Sequence, residues 1–165
     1  MKIDINCLDL IVLDFDGVLT DNFVYIDQNG IESVKCSRSD GLAFDVLRKT
    51  NVKVIILSTE TNKVVKERAQ KLKIEAYNSE ANKASFLKQF CYENSYDLDK
   101  VLYIGNDLND YNAMQISGYS LCPLDSHPAI SKIASGVIDA KGGNGVIRYL
   151  VEHILELDLL DIYKE

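Results

Sequence analysis

Proline is scarce in this chain, with two residues against nine glycines, and no Ser/Pro linker, charge block or internal repeat interrupts it. With 47% hydrophobic and 26% charged residues, that composition excludes collagen-like, low-complexity and wholly disordered architectures. Basic residues are also in deficit: 18 Lys and Arg against 25 Asp and Glu give a net charge of −7. Such a surface argues against a sequence-independent grip on nucleic acid or an anionic membrane, so any phosphate must be held locally. The four cysteines, Cys7, Cys36, Cys91 and Cys122, form no C-x-x-C pair and have no histidine neighbour. Neither a zinc site nor a redox pair is indicated, and free thiols in a reducing compartment are expected. No apolar run approaches the ~20 residues of a membrane span, and Met1–Asn6 carries acid and amide where a signal peptide is basic and then apolar. A soluble cytoplasmic protein is the expectation.

What is present is 165 residues, enough for one domain with a sizeable core. Leu8–Phe15 is apolar, partly β-branched, and ends abruptly in acid and glycine, the pattern of a buried strand feeding a loop. Val52–Leu57 and Val101–Ile104 repeat it, with shorter strands predicted at 75–77, 119–122 and 137–139. Helical spacing falls between them, over 41–49, 62–72, 82–94, 109–116, 128–134 and 145–157. This alternation predicts an α/β fold, a Rossmann-like, mainly parallel sheet with helices on both faces and ligands outside the carboxyl ends of the strands. One segment breaks the rhythm. Asn22–Lys35 has two alternating runs around Asp27-Gln28-Asn29-Gly30, a β-hairpin signal, so a single domain, 1–165, with a hairpin arm at about 22–36 is expected.

The chemistry should lie at three strand ends. Asp14 and Asp16 in Leu-Asp-Phe-Asp-Gly start on one side of the backbone, and two acids that close repel unless a cation or shared proton intervenes. Oxygen ligands of this kind suit Mg²⁺, although a solvated Asp-rich turn has the same composition. Ser58-Thr59-Glu60-Thr61 places hydroxyls where a helix begins, able to cap it or to receive an anion. Gly105-Asn106-Asp107-Leu108-Asn109-Asp110 puts acids and amides at a third strand end.

With Lys83, these segments resemble the four motifs of the haloacid dehalogenase-like phosphatase superfamily: Asp14-x-Asp16-Gly-Val-x-Thr20, Ser58, Lys83 and Gly105-Asn106-Asp107-x-x-Asp110. The resemblance implies that Asp14 attacks phosphorus, that Asp16 protonates the leaving oxygen and later activates water, and that Ser58 and Lys83 hold the phosphoryl oxygens. It also implies Mg²⁺ as cofactor, with Asp14, Asp16 and a fourth-motif side chain, Asn106, Asp107 or Asp110, as the metal set. Asn106 departs from the aspartate common there, which implies weaker Mg²⁺ binding and leaves open a catalytically attenuated oligomerisation module like the domain fused to some cytidylyltransferases.

Only segments 17–40 and 59–82 lie where family members insert a cap, too short to hold one. The hairpin and Lys141–Arg148 resemble a cap-less subfamily acting on sugar-acid phosphates as homotetramers, in which a neighbouring subunit covers the site. Within it, Glu60, Arg68 and Lys71 resemble the nine-carbon, sialic-acid-like 9-phosphate branch more than the alternative, ketodeoxyoctonate 8-phosphate, branch. The substrate-binding set so implied is Ser58, Thr59, Glu60, Arg68, Lys71, Lys83 and Arg148. From their sequence positions, Glu60, Arg68 and Lys71 are expected on one helix, where ordinary surface ion pairs also arise.

Overall fold

A computed structural model describes residues 1–164; Glu165, the last residue of the expected domain, lies outside the described residues. Its strands are β1 (Leu10–Leu13), β2 (Tyr25–Ile26), β3 (Glu32–Ser33), β4 (Lys53–Leu57), β5 (Glu75–Tyr77), β6 (Val101–Ile104), β7 (Tyr119–Pro123) and β8 (Gly136–Ile138). Its α-helices are α1 (Ser39–Leu47), α2 (Val64–Leu72), α3 (Lys83–Asn94), α4 (Tyr111–Gln115), α5 (Pro128–Ile133) and α6 (Val146–Tyr149). Six strands form a parallel sheet in the order β5-β4-β1-β6-β7-β8, and β2 pairs with β3 as a separate antiparallel ribbon. The expected α/β architecture is therefore present.

Strand β1 shows why its residues form the centre. Ile11 and Leu13 face one apolar layer with α1, α2 and α6, while Leu10 and Val12 face the other with α3, α4 and α5. A strand buried on both faces must read as a continuous apolar run, as Leu10–Leu13 does. The chain winds from β1 outward through β4 and β5 on one side, then through β6, β7 and β8 on the other. That reversal opens a crevice beyond the carboxyl ends of β1, β4 and β6, where Asp14, Ser58 and Asn106 follow.

Two departures from the expected bounds have a clear local cause. Helix α2 begins at Val64 rather than 62, because Glu60 Oε1 accepts from the Thr61 and Asn62 N–H groups and Asn62 Oδ1 from Val64 N–H, satisfying those donors outside the helix. The segment expected as one helix over 145–157 is α-helical only to Tyr149 and continues as a π-type turn over Leu150–Ile154, with Leu155 N–H donating to Leu150 O. Its buried side, Leu150, Val151, Ile154 and Leu155, still faces the core. The hairpin arm is closed at its base by a Thr20–Cys36 bridge and turned by Asp27, whose Oδ1 accepts from Asn29 and Ile31 N–H.

Candidate active site

Asp14, Asp16, Ser58, Thr59, Asn106 and Asp107 come together around a cleft of about 290 Å³, joined by Asn22, Leu108 and Asn109. Lys83 lies behind Asp14, outside the residues that line the cleft. As the first residue of α3, after an Asn82 cap that accepts from Ser85 N–H, it is buried with Nζ 2.7 Å from both Asp14 Oδ1 and Asp110 Oδ1. Burial alone would lower the Lys83 pKa, but the two carboxylates hold it above its ordinary value.

Burial, with the charge of Asp110, pushes the Asp14 carboxyl well above the usual range against the pull of Lys83. Its two oxygens are distinct. Oδ1 accepts from Phe15 N–H at 2.7 Å and from Lys83, whereas Oδ2 faces Asn106. Asp16 is also raised, chiefly by burial, opposed by the Thr20 hydroxyl at 3.3 Å and reinforced by the charge of Glu60. A carboxyl that keeps its proton nearer neutrality suits an acid catalyst. Ser58 is buried, and its Oγ accepts from Glu60 N–H at 3.0 Å, leaving its own proton free to donate.

One end of the Asn106 amide stands 2.7 Å from the Asp16 carbonyl oxygen and 3.3 Å from Asp14 Oδ2. With its nitrogen turned there, the amide donates two hydrogen bonds; with its oxygen turned there, three oxygens converge with no donor between them. One carboxylate, one carbonyl and one amide are hard donors of the kind Mg²⁺ takes, so the residues fit the ion. Among the described residues no three His, Cys, Asp or Glu side chains converge on one point. Gly17 makes the approach possible: its φ is +80°, and a Cβ there would lie 2.0 Å from Asn106 Nδ2.

Several expected site residues lie elsewhere. Asp110, expected among the metal ligands, has both oxygens taken: Oδ1 by Lys83 and the Tyr103 hydroxyl, Oδ2 by the Asn106 and Asp107 N–H groups. It orients Lys83 and the turn instead. Glu60 is on the loop before α2, not on the helix with Arg68 and Lys71. Those two line a different cleft with Cys36, Arg38 and Arg48, because α2 runs away from the strand tips at about 1.5 Å per residue. Arg68 donates to Ser37 O, and Arg148 pairs with Glu152 at 3.0 Å. Within one chain these three are not brought to Asp14. Asn22 was not among the expected site residues; its αL conformation, φ 63°, is a turn preference of asparagine that the sequence offers only weakly.

A buried aspartate held by lysine at the end of the central strand, with hard oxygens gathered beside it, is an arrangement suited to phosphoryl transfer. The sequence profile of the haloacid dehalogenase-like hydrolases matches residues 45–150, and the chain belongs to that family, in the cap-less phosphatase form its motifs resemble. It is 30% identical over 147 residues to the 3-deoxy-D-manno-octulosonate 8-phosphate phosphatase KdsC of Salmonella typhi, covering 88% of this chain and 78% of that protein. The structure matches a HAD family hydrolase from Streptomyces avermitilis with a TM-score of 0.92 and 39% identity, covering 96% of this chain and 91% of that one. It also shares the fold of the 3-deoxy-D-manno-octulosonate 8-phosphate phosphatase of Moraxella catarrhalis, with a TM-score of 0.86 at 23% identity over 96% and 88% of the two chains.

Proposed function

We propose that this protein is a Mg²⁺-dependent phosphatase that hydrolyses the phosphate monoester of a 3-deoxy sugar acid. The observation that carries the reading is the division of Asp14, one oxygen against Lys83 and the other beside Asp16 and Asn106. Bound by Asp14, the Asp16 carbonyl and Asn106, the cation would supply charge neutralisation between the nucleophile and an anionic phosphate. Asp14 attacks phosphorus, the P–O bond to the sugar breaks, and Asp16 gives its proton to the departing oxygen. Water then attacks the aspartyl-phosphate while Asp16 takes the proton back, releasing phosphate and freeing Asp14. Lys83 and the Ser58 hydroxyl hold the phosphoryl oxygens throughout.

The relatives named for an eight-carbon substrate favour ketodeoxyoctonate 8-phosphate over the nine-carbon 9-phosphate that Glu60, Arg68 and Lys71 suggest. The Moraxella catarrhalis protein was solved with magnesium, phosphate and KDO. The nine-carbon reading rests on Glu60, Arg68 and Lys71, and of these Glu60 is the one whose charge reaches Asp16. Side-by-side kcat/KM on the eight- and nine-carbon phosphates is the test, and the preferred ester should lead by tenfold or more, about 1.4 kcal/mol. Equal, poor values on all of them would discard the sugar-acid assignment. A failure to release phosphate from p-nitrophenyl phosphate at any Mg²⁺ concentration would favour the attenuated module instead. Assembly into a homotetramer, with Arg68, Lys71 or Arg148 supplied across an interface, is part of the same proposal.

A further inference from the structure

Asp14 and Asp16 follow one strand and Asn106 another, and one end of the Asn106 amide stands 2.7 Å from the Asp16 carbonyl oxygen and 3.3 Å from Asp14 Oδ2, donating to both with its nitrogen there and needing a cation between them with its oxygen there. The loop Leu124–His127, which follows β7, reaches both sides of this gathering. His127 N–H donates to the Asn106 carbonyl at 2.8 Å. Two residues earlier, Asp125 Oδ1 accepts from Gly142 N–H at 2.9 Å. Gly142 and Gly143 are buried against the turn that carries Asp16, with Gly143 N–H donating to Val18 O at 3.0 Å. The packing there is backbone on backbone: a Cβ at 142 would lie 2.3 Å from the Gly17 carbonyl oxygen, and one at 143 would lie 2.5 Å from Asp21 N. Thr20 completes the path, its hydroxyl accepting from Gly17 N–H at 3.2 Å and donating to Asp16 Oδ1 at 3.3 Å.

A ring of contacts therefore runs from Asn106 through the β7 loop and the Gly142–Gly143 segment to the Asp16 turn, and the ring closes at the cation donors. We propose that Asp125 is a positioning residue for the cation site, a role that rests on the Mg²⁺ reading above. Its carboxylate holds Gly142–Gly143 against the Gly17–Thr20 turn, so that the Asp16 carbonyl and the Asn106 oxygen are presented together. The other links named are backbone to backbone or lie within the Asp16 turn; Asp125 is the side chain contributed from outside. Without it, a buried N–H loses its acceptor, and two adjacent glycines, with no side chains to pack, keep only the Gly143–Val18 hydrogen bond to hold them on the turn. Losing a partner that orients metal ligands weakens affinity by about 10–100-fold.

Mg²⁺ titration by calorimetry, with the Mg²⁺-induced rise in Tm as a second readout, should be run on wild type, Asp125→Ala and Asp125→Asn. Asp125→Ala is expected to raise the Mg²⁺ dissociation constant about tenfold or more and to shrink the Tm rise, while Asp125→Asn, which keeps an acceptor oxygen, stays near wild type. If Asp125→Ala lowers only the metal-free Tm and binds Mg²⁺ as wild type does, or if Asp125→Asn is as impaired as Asp125→Ala, the proposal is overturned. A wild type that binds no Mg²⁺ would instead remove the cation reading, and the proposal with it.

Discussion

Lys83 sets the electrostatics of the site, since it is buried between the Asp14 and Asp110 carboxyl groups and its charge is what opposes their burial. Removing it strands both acids away from water. Lys83→Met is expected to cost about 3–5 kcal/mol in urea unfolding, and a loss below about 1 kcal/mol would mean that the acids are solvated. Asp14→Asn acts in the opposite direction. Because burial raises the folded-state pKa of Asp14, its protonated form favours the fold: that contribution is complete below the ordinary carboxylate value and is lost as pH rises through the window up to the raised value. In metal-free buffer Asp14→Asn should lack this decline and match or exceed the wild-type Tm at pH 7, while kcat falls about 10³-fold or more. The residues of this cluster were visible in the sequence as acids and a lysine, but the direction of Asp110 was not. A short 3₁₀ turn over Leu108–Asp110 folds its carboxylate back onto the Asn106 and Asp107 N–H groups, a local geometry that residue type does not reveal.

Among the elements, glycines separate those set by their own propensity from those set by neighbours. Gly41 lies inside α1 with open space around it, so Gly41→Ala is expected to stabilise by about 0.5–1 kcal/mol, read as a rise in Tm. Gly142 meets backbone, which cannot swing aside, so Gly142→Ala should destabilise by about 1–3 kcal/mol and weaken Mg²⁺ binding at the same time. Equal effects at the two positions would refute the close packing at 142. The strands were legible because a central strand must be apolar on both faces and turn polar where it ends. The start of α2 was not, since it depends on Glu60 and Asn62 satisfying N–H groups before the helix begins.

For the whole molecule, the hairpin arm has no core of its own. Its strands are two residues each, and Phe23, Ile26 and Ile31 are 69%, 66% and 65% exposed, far more apolar surface than an isolated two-stranded ribbon can sustain in water. Coverage by further copies of the chain is the expected remedy, and light scattering should report a multimer that Ile26→Lys with Ile31→Lys reduces to a smaller species. A wild-type monomer at micromolar concentration would remove both the interface and the idea that a neighbour supplies Arg68 or Lys71. Alternation of strand and helix, the polar strand ends and the family motifs were all legible along the chain, because burial and turn chemistry act over a few neighbouring residues. Which polar atoms face one another came from the packing of the folded chain. Asp110 turned to Lys83, Arg68 and Lys71 to a separate cleft, and Asp125 to Gly142, because strand order and the direction of each helix arise from packing between segments far apart in the chain.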